Sequence, residues 1–207
     1  MKTAPTYNLY ADIFDYPSDN LPSAVAECGR RLAHRLPEAA EHLACLEREA
    51  KACDTRAMME KYAAIFDFSP ARTMDLGYQL FGETYKRGIF LVKMKEALEK
   101  YQIPAGNELP DHLPSVLRML SVLKAEDEPR DLVEEVILPS VEKILRTFDG
   151  EGDVYRHALL ALKTTLMADF DIDHVEIPRT AETLIENGGK KLPMFPGFSP
   201  PVERVLS

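Results

Sequence analysis

The stretch Glu108-Leu109-Pro110-Asp111-His112-Leu113-Pro114 holds the densest run of functional groups in the chain. Two carboxylates and an imidazole fall within five positions, beside two prolines that restrict the backbone. Asp111 suits the N-cap of a helix, because its side chain can accept an orphan N–H of the first turn. Downstream apolar residues recur at helical spacing, at Val116, Leu117, Leu120 and Leu123. The pattern predicts a rigid loop that leads into an amphipathic helix.

The same helical period recurs through most of the chain. No stretch shows sustained alternation of apolar and polar residues, so no sheet is expected. We predict an all-α, single-domain helical bundle with at least half of its residues helical. Pro17, Pro37 and Ser69-Pro70 are expected to end helices, and Pro139 to kink one. The predicted helical segments cover residues 7–16, 21–36, 39–50, 55–66, 73–81, 90–101 and 155–166, and one that starts at the acidic turn 126–129 and continues to 148. Asp54 or Thr55 is expected to cap the fourth helix.

The last part of the chain differs in composition from the rest. Residues 171–207 contain five of the fifteen prolines and the Gly188-Gly189 pair. We therefore predict a helical domain over 1–170 and a loosely packed tail over 171–207, with one helix at 180–187. Within this tail, Met194–Phe198 is apolar enough to dock on another surface. In one interpretation it lies over the helical bundle. In the other it covers a binding groove or forms part of it.

The charge and cysteine content of the chain exclude several functional classes. A formal net charge of −9 and a pI near 5.1 disfavour nucleic acid and anionic membranes and favour a basic peptide partner. Neither a signal-peptide core nor an apolar run of bilayer length is present, so no membrane insertion is expected. Three cysteines without a C-x-x-C motif suit reduced thiols, and we expect a cytoplasmic protein.

The motifs of common enzymes are missing from the sequence. The five histidines show no H-E-x-x-H spacing, and no nucleophile elbow, P-loop or dinucleotide motif is present. Apart from His112, the histidines are expected at the surface or at helix ends. We therefore predict no catalytic residue, no metal ligand and no permanently bound cofactor. The less favoured alternative is a helical metalloenzyme that uses Glu108, Asp111 and His112.

Four segments together carry a resemblance to a known family. Their order and spacing resemble the nitrate reductase molybdenum cofactor assembly chaperones, or delta subunits, within the wider family of redox enzyme maturation chaperones. The resemblance extends from about Tyr7 to Phe170. The segments are Tyr62–Asp67, Leu80–Glu83, Arg87-Gly88 and Asn107–Pro114.

The resemblance implies a non-enzymatic chaperone whose client is the catalytic (alpha) subunit of a respiratory nitrate reductase. The client would receive bis-molybdopterin guanine dinucleotide and iron–sulfur clusters before membrane docking. Molybdenum cofactor biosynthesis proteins are further candidate partners. The client's N-terminal peptide would bind at Tyr62, Ile65, Phe66, Glu108, Pro110, Asp111 and His112. The alternative within the family is a chaperone for a twin-arginine exported molybdoenzyme, and the lack of Trp distinguishes this chain from several such relatives.

Overall fold

The computed structural model describes residues 4–104, 106–124, 129–150 and 152–177. About 72% of these residues are helical, and they contain no strand beyond one isolated bridge between Asp75 and His112. The prediction of an all-α bundle is therefore confirmed. No helix in the described part of the chain is long and apolar enough to cross a membrane.

The helices follow one another through short connections. Two of them are interrupted by π-helical turns, at Ala63–Asp67 and Val133–Ile137, and a 3-10 turn covers Pro70–Arg72. The α-helices are α1 (Ala4–Phe14), α2 (Leu21–Leu32), α3 (Pro37–Ala52), α4 (Thr55–Tyr62), α5 (Leu76–Phe81), α6 (Tyr85–Lys100), α7 (Leu113–Val122), α8 (Pro129–Leu132), α9 (Leu138–Leu145) and α10 (Val154–Phe170).

One hydrophobic core runs through the bundle. Helix α1 packs between α2 and α7, and α3 packs between α2 and α10. Tyr7 and Tyr10 are fully buried in α1, where their hydroxyls bond to Asp169 at 2.7 Å and Thr165 at 2.8 Å in α10. Because burying an unpaired hydroxyl is costly, these two bonds help to fix α1 against α10.

Several predicted helix boundaries are wrong. Pro37 does not end the second helix, which stops at Leu32. It instead begins α3, at a position where a missing N–H costs no hydrogen bond. The kink expected at Pro139 takes the form of the π-helical turn directly before α9. The fourth helix has the predicted start, because the Asp54 side chain accepts a hydrogen bond from the Ala57 N–H at 2.7 Å.

The histidines of α3 and α10 also differ from the prediction. His42 and His157 lie in facing helices, and their Nδ1 atoms are 2.9 Å apart. Both side chains are half-buried rather than isolated at the surface. The tail predicted from residue 171 begins with packed residues, because Ile172 is buried and Val175 contacts the core. Its helix at 180–187 and Met194–Phe198 lie outside the described residues.

Candidate functional site

A pocket of about 410 Å³ opens between the π-helical turn after α4, the loop before α5 and the loop before α7. Its volume is at the lower end of the range for ligand sites, enough for a few side chains. Both aromatic and acidic residues line it. They are Tyr62, Phe66, Asp67, Ser69, Pro70, Thr73, Met74, Asp75, Tyr78, Arg87, Glu108 and His112.

Aromatic side chains from the core form one wall of this pocket. The ring centroids of Tyr62 and Phe66 are 5.0 Å apart, and Tyr155 meets both rings edge-on. The Tyr62 hydroxyl donates a buried hydrogen bond of 3.0 Å to the Phe14 carbonyl. Tyr62 and Phe66 are each only 4% exposed. Their main role is therefore in the core, and only a small part of each residue is accessible from the pocket.

The π-helical turn determines which residues face outward at the rim. The Phe68 N–H reaches back to the Ala63 carbonyl at 3.2 Å, which closes the wider turn. The turn keeps Phe66 buried while Asp67 lines the pocket and Phe68 is 81% exposed. Tyr16, which is 53% exposed, packs edge-on against Tyr62. Neither Tyr16 nor Phe68 lines the pocket, but each exposed ring adjoins a lining residue, Tyr62 by contact and Asp67 in sequence.

Backbone pairing between two loops holds the opposite wall. The Leu76 N–H donates to the Asp111 carbonyl and the Leu113 N–H donates to the Met74 carbonyl, each at 3.0 Å. This pairing fixes His112 beside Asp75, with 3.5 Å between His112 Nδ1 and the nearer carboxylate oxygen. The Arg87 guanidinium donates to the other Asp75 oxygen at 3.0 Å. The wall therefore contains a partly buried acid between two basic groups.

The side chain of Asp111 is fully buried and does not cap α7. Helix α7 begins at Leu113 after an extended His112, and no side chain caps its first turn, so the predicted cap is wrong. One Asp111 carboxylate oxygen accepts the Gly77 N–H at 2.8 Å, whereas the other has no partner among the described residues. The carboxylate thus ties the loop before α7 to the first turn of α5.

Burial and neighbouring charge set the ionisation of this pair of acids. Burial, and then the negative charge of Asp75, raise the pKa of Asp111 to about 6, although the Gly77 N–H and Arg87 oppose them. Burial also acts to raise the pKa of Asp75. The His112 ring and the Arg87 guanidinium outweigh it and hold that pKa below its ordinary value. Near neutral pH both acids are therefore largely ionised.

We expect Asp111→Asn to change how stability depends on pH. The raised pKa means that native Asp111 keeps its proton to about pH 6, whereas an unfolded aspartate loses it near pH 4. Wild-type stability should therefore fall relative to the variant by ~2–3 kcal/mol as the pH rises through this window. Denaturant titrations at several pH values measure it. Asp75, whose pKa is lowered, is present in both proteins, so the comparison isolates Asp111. If the free energies of unfolding of the two proteins change with pH in parallel, the pKa of Asp111 is not raised.

The structure brings together four of the seven site residues predicted from the sequence. These are Tyr62, Phe66, Glu108 and His112. Ile65 is half-buried against the core, and Pro110 lines a smaller cavity of about 130 Å³ that shares only Glu108 with the pocket. Together with the buried Asp111, these two lie outside the lining of the pocket. Their contact with a peptide stays a prediction.

Sequence reasoning missed the acidic loop before α5. Asp75 belongs to a segment that was predicted to be helical from residue 73, yet α5 begins only at Leu76. Arg87 and Asp67 lay within the segments that carried the family resemblance but were not assigned to a site. Three of those four segments meet at this pocket. Membership of a family-like segment was therefore a signal in the sequence that could have pointed to Asp67 and Arg87.

The residues of the metalloenzyme alternative do not converge. Glu108 is exposed, while the Asp111 carboxylate faces the Gly77 backbone and His112 faces Asp75. Across residues 4–104, 106–124, 129–150 and 152–177, no group of three or more His, Cys, Asp or Glu side chains is arranged to hold a metal ion.

The fold and the pocket define an all-α protein with a pocket lined by aromatic and acidic side chains. In a comparison with known proteins, the chain is similar to the "Probable nitrate reductase molybdenum cofactor assembly chaperone NarJ" of Bacillus subtilis. The two are 33% identical over 109 residues, which is 51% of this chain and 58% of the relative. The predicted resemblance to these chaperones is thereby confirmed. The chain thus spans less than two thirds of the relative, and no family model matches it.

Proposed function

We propose that this protein is a non-catalytic assembly chaperone for the catalytic subunit of a respiratory nitrate reductase. The observation that carries the proposal is the similarity to the Bacillus subtilis protein, which is named a probable nitrate reductase molybdenum cofactor assembly chaperone. The convergence of three family-like segments on one pocket agrees with that similarity. The protein would work in the cytoplasm and hold its client while bis-molybdopterin guanine dinucleotide and iron–sulfur clusters are inserted.

The pocket suits the N-terminal peptide of the client. Asp67 and Glu108 are exposed at its rim, and neither has a cationic partner within the described residues. Such carboxylates can hold a peptide arginine or lysine through charge-assisted hydrogen bonds. The exposed rings of Tyr16 and Phe68 offer apolar contact area beside them. A basic amphipathic peptide matches both features.

A chaperone of this kind acts by selecting one state of its client. A catalytic subunit without its cofactors exposes surfaces that close after insertion. A protein that binds only the open form raises the population of that form, by an amount set by the difference in affinity. Binding the N-terminal peptide would add affinity through a second site on the same client. Release would follow when the loaded subunit closes, before it docks at the membrane.

The alternative within the same class is a chaperone for a twin-arginine exported molybdoenzyme. Both clients present a basic N-terminal segment, so the acidic rim suits either one. The name of the relative favours nitrate reductase. Titration of the purified protein with the N-terminal peptide of each client from the same genome discriminates the two, because the true client should bind at least about tenfold more tightly.

The rim charges provide a prediction for that titration. We expect the double change Asp67→Asn with Glu108→Gln to weaken binding of the nitrate reductase peptide by ~1–3 kcal/mol, because charge-assisted hydrogen bonds are lost. Added salt should weaken peptide binding to the wild type and so reduce the difference in affinity between the wild type and the double variant. The matched control is Glu41→Gln, at an exposed carboxylate in α3 outside the pocket. Equal affinity of all three proteins would exclude the rim from recognition.

A further inference from the structure

A second basic and apolar segment that matches the pocket lies in this chain itself. Residues 187–202 contain Lys190 and Lys191, no carboxylate, and four prolines. The large apolar side chains Leu192, Met194, Phe195 and Phe198 follow the two lysines directly. Prolines at this density favour an extended polyproline conformation, which loses little entropy when it docks on aromatic surfaces. The segment lies outside the described residues.

The pocket is complementary to this segment in both charge and shape. Asp67 and Glu108 are available at the rim for two lysines. The exposed rings of Phe68 and Tyr16 beside the pocket can receive the apolar residues, and the small exposed parts of Tyr62 and Phe66 add apolar contact within it. A volume of about 410 Å³ accommodates a few side chains and not a folded element, which suits an extended segment.

The linking chain is long enough to reach the pocket. The described structure ends at Ile177, and the twelve residues 178–189 separate it from Lys190. Extended, they span about 40 Å. A domain of this size has a radius of gyration of about 15 Å, so most of the surface is within reach. A tethered segment also competes at a high effective concentration, of millimolar order for short flexible linkers.

We propose that the Lys190–Phe198 segment occupies the acidic pocket of its own chain and competes with the client peptide. This inference rests on the proposed function in one respect, because both require that the pocket binds a peptide. The lysines contact Asp67 and Glu108, and Phe195 or Phe198 packs on the aromatic wall. A client must displace the segment, so its apparent affinity is reduced by the fraction of pockets that are occupied.

Photo-crosslinking in the full-length protein tests this placement. A photoreactive phenylalanine analogue at position 195 should form crosslinks to residues 62–67, 73–78 or 108–112, located by peptide mass spectrometry. The same analogue at Leu206, eight positions beyond the docked segment, is the positional control and should crosslink to the pocket with a clearly lower yield. The double change Lys190→Glu with Lys191→Glu should reduce the yield roughly three- to tenfold, whereas Arg179→Glu should leave it unchanged.

The outcomes separate this inference from the proposed function. Absence of crosslinks to the pocket overturns the inference, and so do crosslinks to the other exposed apolar stripe, at Tyr85 and Val92 of α6. A mixture of light and isotope-labelled protein shows whether crosslinks join two chains, which also overturns it. Crosslinks that the nitrate reductase peptide suppresses support both proposals. Crosslinks that the peptide leaves unchanged support the docked tail and contradict peptide binding in this pocket.

Discussion

Gly77→Ala is expected to destabilise the protein more than any other single methyl addition at a described glycine. A Cβ at this position would lie 2.7 Å from the Asp111 carboxylate and 2.7 Å from the Phe90 ring. Both neighbours are buried, so neither can move away freely. The clash would also disturb the hydrogen bond from the Gly77 N–H to Asp111. We expect a loss of ~2–4 kcal/mol in the free energy of unfolding.

Gly88→Ala is the matched control for this change. Gly88 lies within α6, and a Cβ built there meets no atom within 4 Å. Alanine is favoured over glycine inside helices, so this variant should gain ~0.4–1 kcal/mol. Thermal or denaturant unfolding of both variants beside wild type measures the difference. If Gly77→Ala proves as stable as Gly88→Ala, the close packing of α5 on the Asp111 loop is wrong.

Tyr62→Ala is expected to act through stability before it acts through binding. The ring contacts Tyr16, Phe66 and Tyr155, and its hydroxyl bonds to the Phe14 carbonyl. Truncating a buried aromatic residue costs ~3–5 kcal/mol, because a cavity remains. Denaturant unfolding should report this loss in the absence of any peptide. Tyr62 is therefore a poor choice for testing recognition.

Phe68→Ala is the matched aromatic change at the rim. With 81% of the residue exposed, its removal should alter the free energy of unfolding by no more than ~0.5 kcal/mol. If Phe68 contacts the client peptide, binding should still weaken, and added salt should barely affect the loss because the contact is apolar. A large loss of stability in Phe68→Ala, or none in Tyr62→Ala, would contradict this division between rim and core.

The sequence was sufficient for the fold class because each helix has its own apolar face. The N-cap at Asp54 was also predictable, since a side chain and its capped N–H are three residues apart. The same local logic failed at Asp111. Its carboxylate bonds to Gly77, which is 34 positions away, and no local pattern reports a partner at that distance. The tertiary hydrogen bond to Gly77 therefore replaces the local N-cap that Asp111 would otherwise favour.

The candidate site was predictable in part for a related reason. Glu108 and His112 stood out as a dense polar run, and Tyr62 and Phe66 entered through the family resemblance. Asp75 has no distinctive neighbours in sequence, and only the pairing of two loops places it between His112 and Arg87. Which acids remain free to bind a peptide depends on such pairings. Glu108 was already predicted from the sequence, whereas Asp67 could be recognised as a rim acid only from the structure.

The most direct test of the proposed function is the molybdenum content of the client. The gene for this chain would be deleted, and the nitrate reductase catalytic subunit purified and assayed for molybdenum by mass spectrometry. We predict subunit protein that is largely free of molybdenum. A plasmid copy of the wild type should restore the metal, and a copy with Asp67→Lys and Glu108→Lys should restore far less. A full complement of molybdenum in the deletion strain would contradict the assignment of this protein as the assembly chaperone.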